Sequence, residues 1–426
     1  LILGGNIVSN LSALTLNSAN LTFSVTNATL ANINVGTLNL GDGSIASSLN
    51  ITALPATVGL IQFPIIKYTS ASGTYNLNLS TLPPGFSANL INNTGNKSID
   101  LQITQLAPGV WNGGNAGVDS NWSDALNWSG TALSGQDPLT FTGSAGLHNI
   151  NDTPNEVASG ITFAPGAGAF VLSGNPVTLA TNILNSSANP QTINLGLSFG
   201  SSLTLDGGAA GLTIGGGLTN TFGTPGSTTL TLAGLGTLTN LLNSSSSPGG
   251  TNSVVTLSGA NWTLMDNSSS TPVSVPWALN LQGGALNFGT ASSSPILTNT
   301  TATGVPADNQ IGTVAGQTAT LNIVNGTLVT SARVNTATAN TSTGIVNQAG
   351  GSFIVASQIQ GANGGTIGAQ SIFNISGGTM TVAADGSGAF YIASRDAGSL
   401  TVSGNASVTC GNLDLSRNAQ GNTQNG

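Results

Sequence analysis

Apolar residues along this chain recur in short triads, apolar–polar–apolar, separated by clusters of Gly, Asn, Ser and Thr. A period of two sends alternate side chains to opposite faces of a strand, so each triad predicts a short strand with one buried face. Leu230-Thr-Leu232 is followed 25 residues later by Val255-Thr-Leu257, and 24 later by Leu279-Asn-Leu281. A second series runs nearly in step, from Leu238 to Trp262-Thr-Leu264 to Leu286-Asn-Phe288, each 24 residues after the last. Leu203-Thr-Leu205 and Leu212-Thr-Ile214 extend the two series upstream by steps of 27 and 26. Nearer the C-terminus, the segment Phe373 to Val382 aligns with Val346 to Val355, and with one inserted residue to Leu400 to Cys410. A weaker copy starts at Leu321-Asn-Ile-Val-Asn-Gly-Thr-Leu328.

Repeats on this scale signal stacked architectures. The predicted fold is all-β, a parallel β-helix of about 25 residues per coil, each coil supplying two or three short strands. Gly-Gly and Asn-Gly steps supply corners with positive φ. Equivalent strands stack in parallel about 4.8 Å apart, so like residues lie on like. Asn and Thr between the apolar positions are expected to form ladders on the outside. One coil cannot bury enough to hold itself together, so coils need neighbours and their ends need caps or partners. A propeller or a string of sandwiches would show longer strands and more frequent turn breaks.

Two stretches break the pattern. Residues 61–107 gather aromatics, prolines and both lysines, and read as a β-rich cap on a first set of coils over 1–60. Proline suits sheet edges and not central strands. Residues 108–160 read as a Trp-rich starter for a second β-helix over 161–426, with Gln105-Leu-Ala-Pro-Gly109 as the junction. Three of the five tryptophans, Trp111, Trp122 and Trp128, fall in this starter. Such rings serve either as an apolar lid on a coil end or as a platform for stacking sugars; the lid is the favoured reading. The chain starts and stops inside strand-like sequence, which reads as a piece of a longer precursor or a product cut from one.

Composition sharpens this picture. Charged residues make up 4% of the chain against about 25% in an average soluble protein. Hydrophobic content of 39% argues against disorder, and the wealth of Gly, Asn, Ser and Thr argues against helix. The five basic residues are Lys67, Lys97, Arg333, Arg395 and Arg417. They are scattered, so no basic stripe for nucleic acid or an anionic membrane is expected. No apolar run reaches membrane-spanning length. The single cysteine, Cys410, allows no disulfide within the chain and reads as a small buried hydrophobe.

The motif Trp111-Asn-Gly-Gly, followed by Asn121-Trp-Ser and Asn127-Trp128, resembles the opening of autotransporter-associated β-strand repeat proteins, large surface proteins of the Verrucomicrobia type. Ile161-Thr-Phe-Ala-Pro-Gly, Gln191-Thr-Ile-Asn-Leu and the Ser-Gly-Gly-Thr strands are similar to later segments of that family, and Leu82-Pro-Pro-Gly-Phe to the end of one unit. The resemblance implies a right-handed β-helix exported to the cell surface, with structural or adhesive roles and no shared catalytic residues.

Chemistry is sparse. Hydrolysis of polysaccharides needs paired carboxylates. The nearest spacings are Asp152 with Glu156 and Asp119 with Asp124, and Asp385 and Asp414 lie about one coil apart. The last two read as solvated turn residues. Arg395, Asp396 and Arg417 form the only mixed grouping, with Arg395–Asp396 expected as a surface ion pair. One His, His148, and one Cys leave no zinc site and no Cys–His or Ser–His–Asp nucleophile system. The expectation is a non-enzymatic extracellular structural or adhesive protein without metal or cofactor. Its partners would be further copies met through the coil ends, or glycans and cell-surface polymers met through Trp111, Trp122 and Trp128. A β-helical polysaccharide-degrading enzyme is the remaining alternative.

Overall fold

A computed structural model of the chain describes residues 2–3, 9–25, 31–54, 60–82, 86–105, 109–129, 132–133, 135–221, 228–243, 253–266, 277–299, 308–363 and 368–416. The fold is a parallel β-solenoid of about 25 residues per turn. It divides into two compact units, one of residues 1–119 and 123–133, the other of 120–122 and 134–426.

In the second unit the described turns lay down up to three short strands, one on each of three faces. The first face includes Asp137–Phe141, Leu203–Asp206, Thr229–Ala233, Ser253–Leu257 and Trp277–Leu281. The second is an eleven-stranded sheet running from His148–Asn151 to Ala397–Val402. The third is seen as two runs, one ending in Leu241–Asn243, the other starting at Ile296–Asn299. The described strands of this unit pair in parallel, and the stacking already takes in Asp137–Phe141 and His148–Asn151, upstream of residue 161.

The stacking is like on like. Leu139, Ile161, Ile183, Leu205, Leu232, Leu257, Leu281 and Ile311 follow one another in register. Each is 1% exposed or less, so the column is a continuous aliphatic seam. Branched side chains of similar size present similar shapes, and repeated contacts fill space without voids. The expected registers of Leu230 on Val255 and Val255 on Leu279 hold, as do those of Val346 on Phe373 and Phe373 on Leu400.

One expected register is two residues out. Leu238 lies on Leu264, not on Trp262, and Ile214, not Leu212, lies on Leu238. The position stacked on Trp262 is Gly236. A Cβ there would fall 2.5 Å from the indole ring, so glycine makes the room that the ring fills. The Trp262 Nε1–H donates to the Ala233 carbonyl at 3.0 Å, which anchors the ring over that gap. The space needed by a large ring, rather than a shared apolar character, sets the register at this level.

The corners follow the expected chemistry. Between the second and third faces, Gly326, Gly351 and Gly378 have φ of +93°, +64° and +72°. A Cβ on Gly351 would lie 2.4 Å from the Gly326 carbonyl oxygen, so both the backbone angle and the stacking distance require glycine.

The first unit mixes two kinds of pairing. Asn20–Ser24, Ser47–Ala53 and Leu77–Thr81 stack in parallel, as do Ser9–Thr15, Ile33–Asn39 and the second half of Leu60–Ser72. The first half of Leu60–Ser72 pairs antiparallel with Ser98–Gln105, which pairs antiparallel with Phe86–Asn93. One 13-residue strand therefore belongs both to the coil and to a hairpin-like sheet. The register shifts between Pro64 and Ile66, and Ile65 and Ile66 are both fully buried there. Proline cannot donate to a ladder, so it marks the point at which pairing changes. The core of this unit includes Phe23, Ile33, Leu49, Ile66, Ile99 and Leu101.

Candidate functional site

All three tryptophans of the starter are completely buried. In the first unit, Trp111 meets Trp128 edge to face with ring centroids 5.0 Å apart. Trp128 closes the short helix Ala125–Trp128, whose N-cap Asp124 accepts the Leu126 N–H at 2.9 Å. In the second unit, Trp122 lies 6.0 Å from Phe141, which stacks on Phe163 and meets Phe170 at a tilt of 56°, each 5.3 Å away. The Trp122 Nε1–H donates to Asn149 Oδ1 at 2.8 Å, so its one polar atom is satisfied inside. A sugar stacks only on an exposed ring face, and none of these rings presents one. Their placement is that of packing residues.

The carboxylates singled out by spacing act locally. Asp124 also accepts from Asn115 at 2.6 Å, and Asp119 accepts from Asn127 at 3.2 Å. Asp385 and Asp414 each accept a backbone N–H two residues on, from Ser387 and Ser416. They are not register partners, since Asp414 lies on Tyr391. Arg395 and Asp396 do not form the expected ion pair. Asp396 instead accepts the Ala369 N–H from the preceding turn at 2.7 Å, a bond that ties two coils together. Among the described residues the ion pair is Arg333–Asp308, at 2.8 Å on the surface. Arg417 lies outside the described residues. His148 is exposed on its strand, and Cys410 is half-buried.

Spacing did not reveal the most unusual pair, Asp137 and Glu156. They are 8% and 5% exposed, and both occupy inward positions on adjacent parallel strands. Glu156 Oε1 accepts no hydrogen bond. Burial pushes the Glu156 carboxyl above its ordinary value, and the nearby Asp137 charge pushes the same way. The two residues are 19 apart, less than one average coil, so a search at the repeat distance passes over them. The detectable signal was an acid occupying an inward position at the start of an alternating strand.

The first unit holds a contrasting carboxylate. Asp100, 4% exposed, accepts from Ser98 at 2.6 Å and from Asn93 and Gln62 at 2.8 Å each. Burial alone would raise its pKa, but these bonds and the Lys67 charge together bring it below the ordinary carboxylate value.

The outer surface carries the ladder expected from the sequence. On the second face Asn374 donates to Asn347 at 2.9 Å, Asn347 to Asn322 at 2.9 Å, and Asn322 to Asn287 at 2.8 Å. Asn287 donates onward to Thr263 at 3.3 Å. In register, the same column holds Thr192, Thr213, Thr237 and Thr263 below and Thr401 above. Hydroxyl or amide side chains thus line nine successive turns of one face.

At the last described coil, the residues of Ala397–Val402, Ser407–Cys410 and Leu413–Asp414 are exposed or half-buried. Val402, Leu413 and Leu415 show 48%, 52% and 69% of their surface. Among the described residues no group of three or more His, Cys, Asp or Glu could hold a metal ion, and no helix is long and apolar enough to cross a membrane. No family model, curated protein or solved structure matches the chain.

Proposed function

We propose that this chain is a structural and adhesive β-solenoid of the cell exterior, a spacer that adheres by adding coil to coil. A β-solenoid scaffold by itself serves enzymes and structural proteins alike, so the reading rests on how its side chains are used. The observation that carries it is the like-on-like register through the stack, aliphatic inside and Asn or Thr outside. Side chains committed to neighbouring turns support a rigid stack; they leave few groups convergent on a substrate. In this reading adhesion runs through strand edges such as those of residues 397–414, where Val402, Leu413 and Leu415 are exposed, each pairing with a parallel strand of a second copy. A contact of this head-to-tail kind repeats without closing and gives a filament. Export to the cell surface rests on the resemblance to autotransporter-associated repeat proteins.

The test is association as a function of concentration, read by light scattering and negative-stain images of the purified chain. End-to-end particles are expected to lengthen with concentration. Leu413→Lys together with Val402→Lys places charge at the edge and is expected to return the sample to single particles. Single particles at every concentration, or assembly indifferent to those two changes, would overturn end-on adhesion.

A further inference from the structure

Two Asn-Gly steps have both residues described, Asn112–Gly113 and Asn325–Gly326, and their surroundings differ. At the first, Gly113 N–H is held by the Asn127 carbonyl at 3.3 Å, and Asn112 Oδ1 is turned toward the Gly114 N–H at 2.9 Å. At the second, the Gly326 N–H donates to the side chain just before it, Asn325 Oδ1, at 2.9 Å. That bond brings the Gly326 nitrogen against the Asn325 amide group. The Asn325 side chain is half-exposed, and its Nδ2 donates to no acceptor among the described residues.

We propose that Asn325–Gly326 is a site of spontaneous covalent modification, at which Asn325 loses its side-chain amide through a cyclic imide. Hydroxide takes the Gly326 amide proton, and the nitrogen attacks Asn325 Cγ. The new N–Cγ bond closes a five-membered imide, and the Cγ–Nδ2 bond breaks with release of ammonia. Water then opens either imide carbonyl. One opening leaves aspartate; the other leaves isoaspartate, with the main chain routed through Cβ. The sum is one water consumed and one ammonia released, so no oxidant or cofactor takes part. Glycine is needed twice over: it leaves its nitrogen unhindered for attack, and a Cβ on Gly326 would fall 2.3 Å from the Pro295 carbonyl oxygen.

The site falls at a corner packed closely against its neighbours. In the next two turns the equivalent corners are Gly350–Gly351 and Gly377–Gly378, which have no amide to lose. Asn325–Gly326 is packed beneath the first of them. An added backbone atom and a negative charge there would disturb the corner that joins Thr318–Ile323 to Thr327–Thr330, and with it the register of each strand on the neighbouring turns. The corner therefore acts as an ageing mark on one turn of the stack.

The experiment holds the purified folded chain at mildly alkaline pH and follows each Asn-Gly peptide by mass mapping, with enzymatic methylation to mark isoaspartate. A parallel sample is kept unfolded in urea. In the folded chain Asn325 is expected to convert at least about fivefold faster than Asn112, the factor that one retained backbone hydrogen bond corresponds to. In urea the two rates are expected to converge. Asn325→Gln, whose longer side chain closes the ring poorly, is expected to abolish conversion at this corner while the circular dichroism stays that of the parent. Conversion of Asn112 as fast as or faster than Asn325 in the folded chain would overturn the proposal. So would an Asn325 that keeps its amide in the folded sample while converting in urea.

Discussion

Asp100 and Glu156 are buried to nearly the same degree, yet one is surrounded by donors and the other has an oxygen with none. The difference lies in the sheets around them. Asp100 sits in an antiparallel region, where neighbouring strands bring side chains of different kinds together from both directions. Glu156 sits in a parallel stack, where each position faces its own equivalent in the next turn, Val177 in this case. A stack that repeats apolar positions has nothing polar to offer an acid that falls in line with them. Burial of a charge is costly unless it is paired or hydrogen-bonded.

The largest test of this contrast removes the satisfied group. Asp100→Ala would leave the Ser98, Asn93 and Gln62 donors without their acceptor, and should cost about 3 kcal/mol in urea unfolding. Hydrogen exchange should show the loss in residues 86–105 first. A cost under about 1 kcal/mol would mean that water replaces the carboxylate and that the network is not a support. The second test sets the two acids against each other by pH. Asp100 has its pKa lowered from 3.8, so its stabilisation is present at neutral pH and is lost as pH falls through the lowered value. Glu156 has its pKa raised from 4.5, so its contribution is full below 4.5 and is lost as pH rises through the raised value. Acidification should therefore first strengthen protection around residues 137–163 and, further down, weaken it around 86–105. Glu156→Gln should flatten the first response and stabilise the chain by about 1 kcal/mol at pH 8. Parallel loss of protection in both regions would break the comparison. The smallest effect is expected outside, where solvent can stand in for a lost partner. Asn322→Ala removes two ladder bonds and should cost about 0.5 kcal/mol in the same unfolding measurement.

What the amino-acid sequence made legible was whatever repeats. The triads around Leu230, Val255 and Leu279 show their stacking because equivalent residues carry equivalent side chains, and the outward Asn of each repeat announced the ladder. What stayed hidden was whatever breaks the repeat. Gly236 matched no triad, because its role is to be absent beneath Trp262. The dual pairing of Leu60–Ser72 depends on a hairpin-like partner far along the chain, and alternation alone does not distinguish parallel from antiparallel neighbours. Asp137 and Glu156 are brought together by a turn shorter than average, and Asp396 turned from the adjacent arginine to a backbone N–H one turn away. Each miss is a contact set by an individual side chain and not by the period.

The asparagine column has one further property. Every amide from Asn374 to Asn287 gives a hydrogen to the turn below, and Asn347, Asn322 and Asn287 each take one from the turn above, with no reversals. Side-chain dipoles so aligned add along the stack, as peptide dipoles do along a helix. This face is therefore an electrical arrow as well as a support, with a donor end satisfied at Thr263 and, among the described residues, an acceptor end without a donor at Asn374.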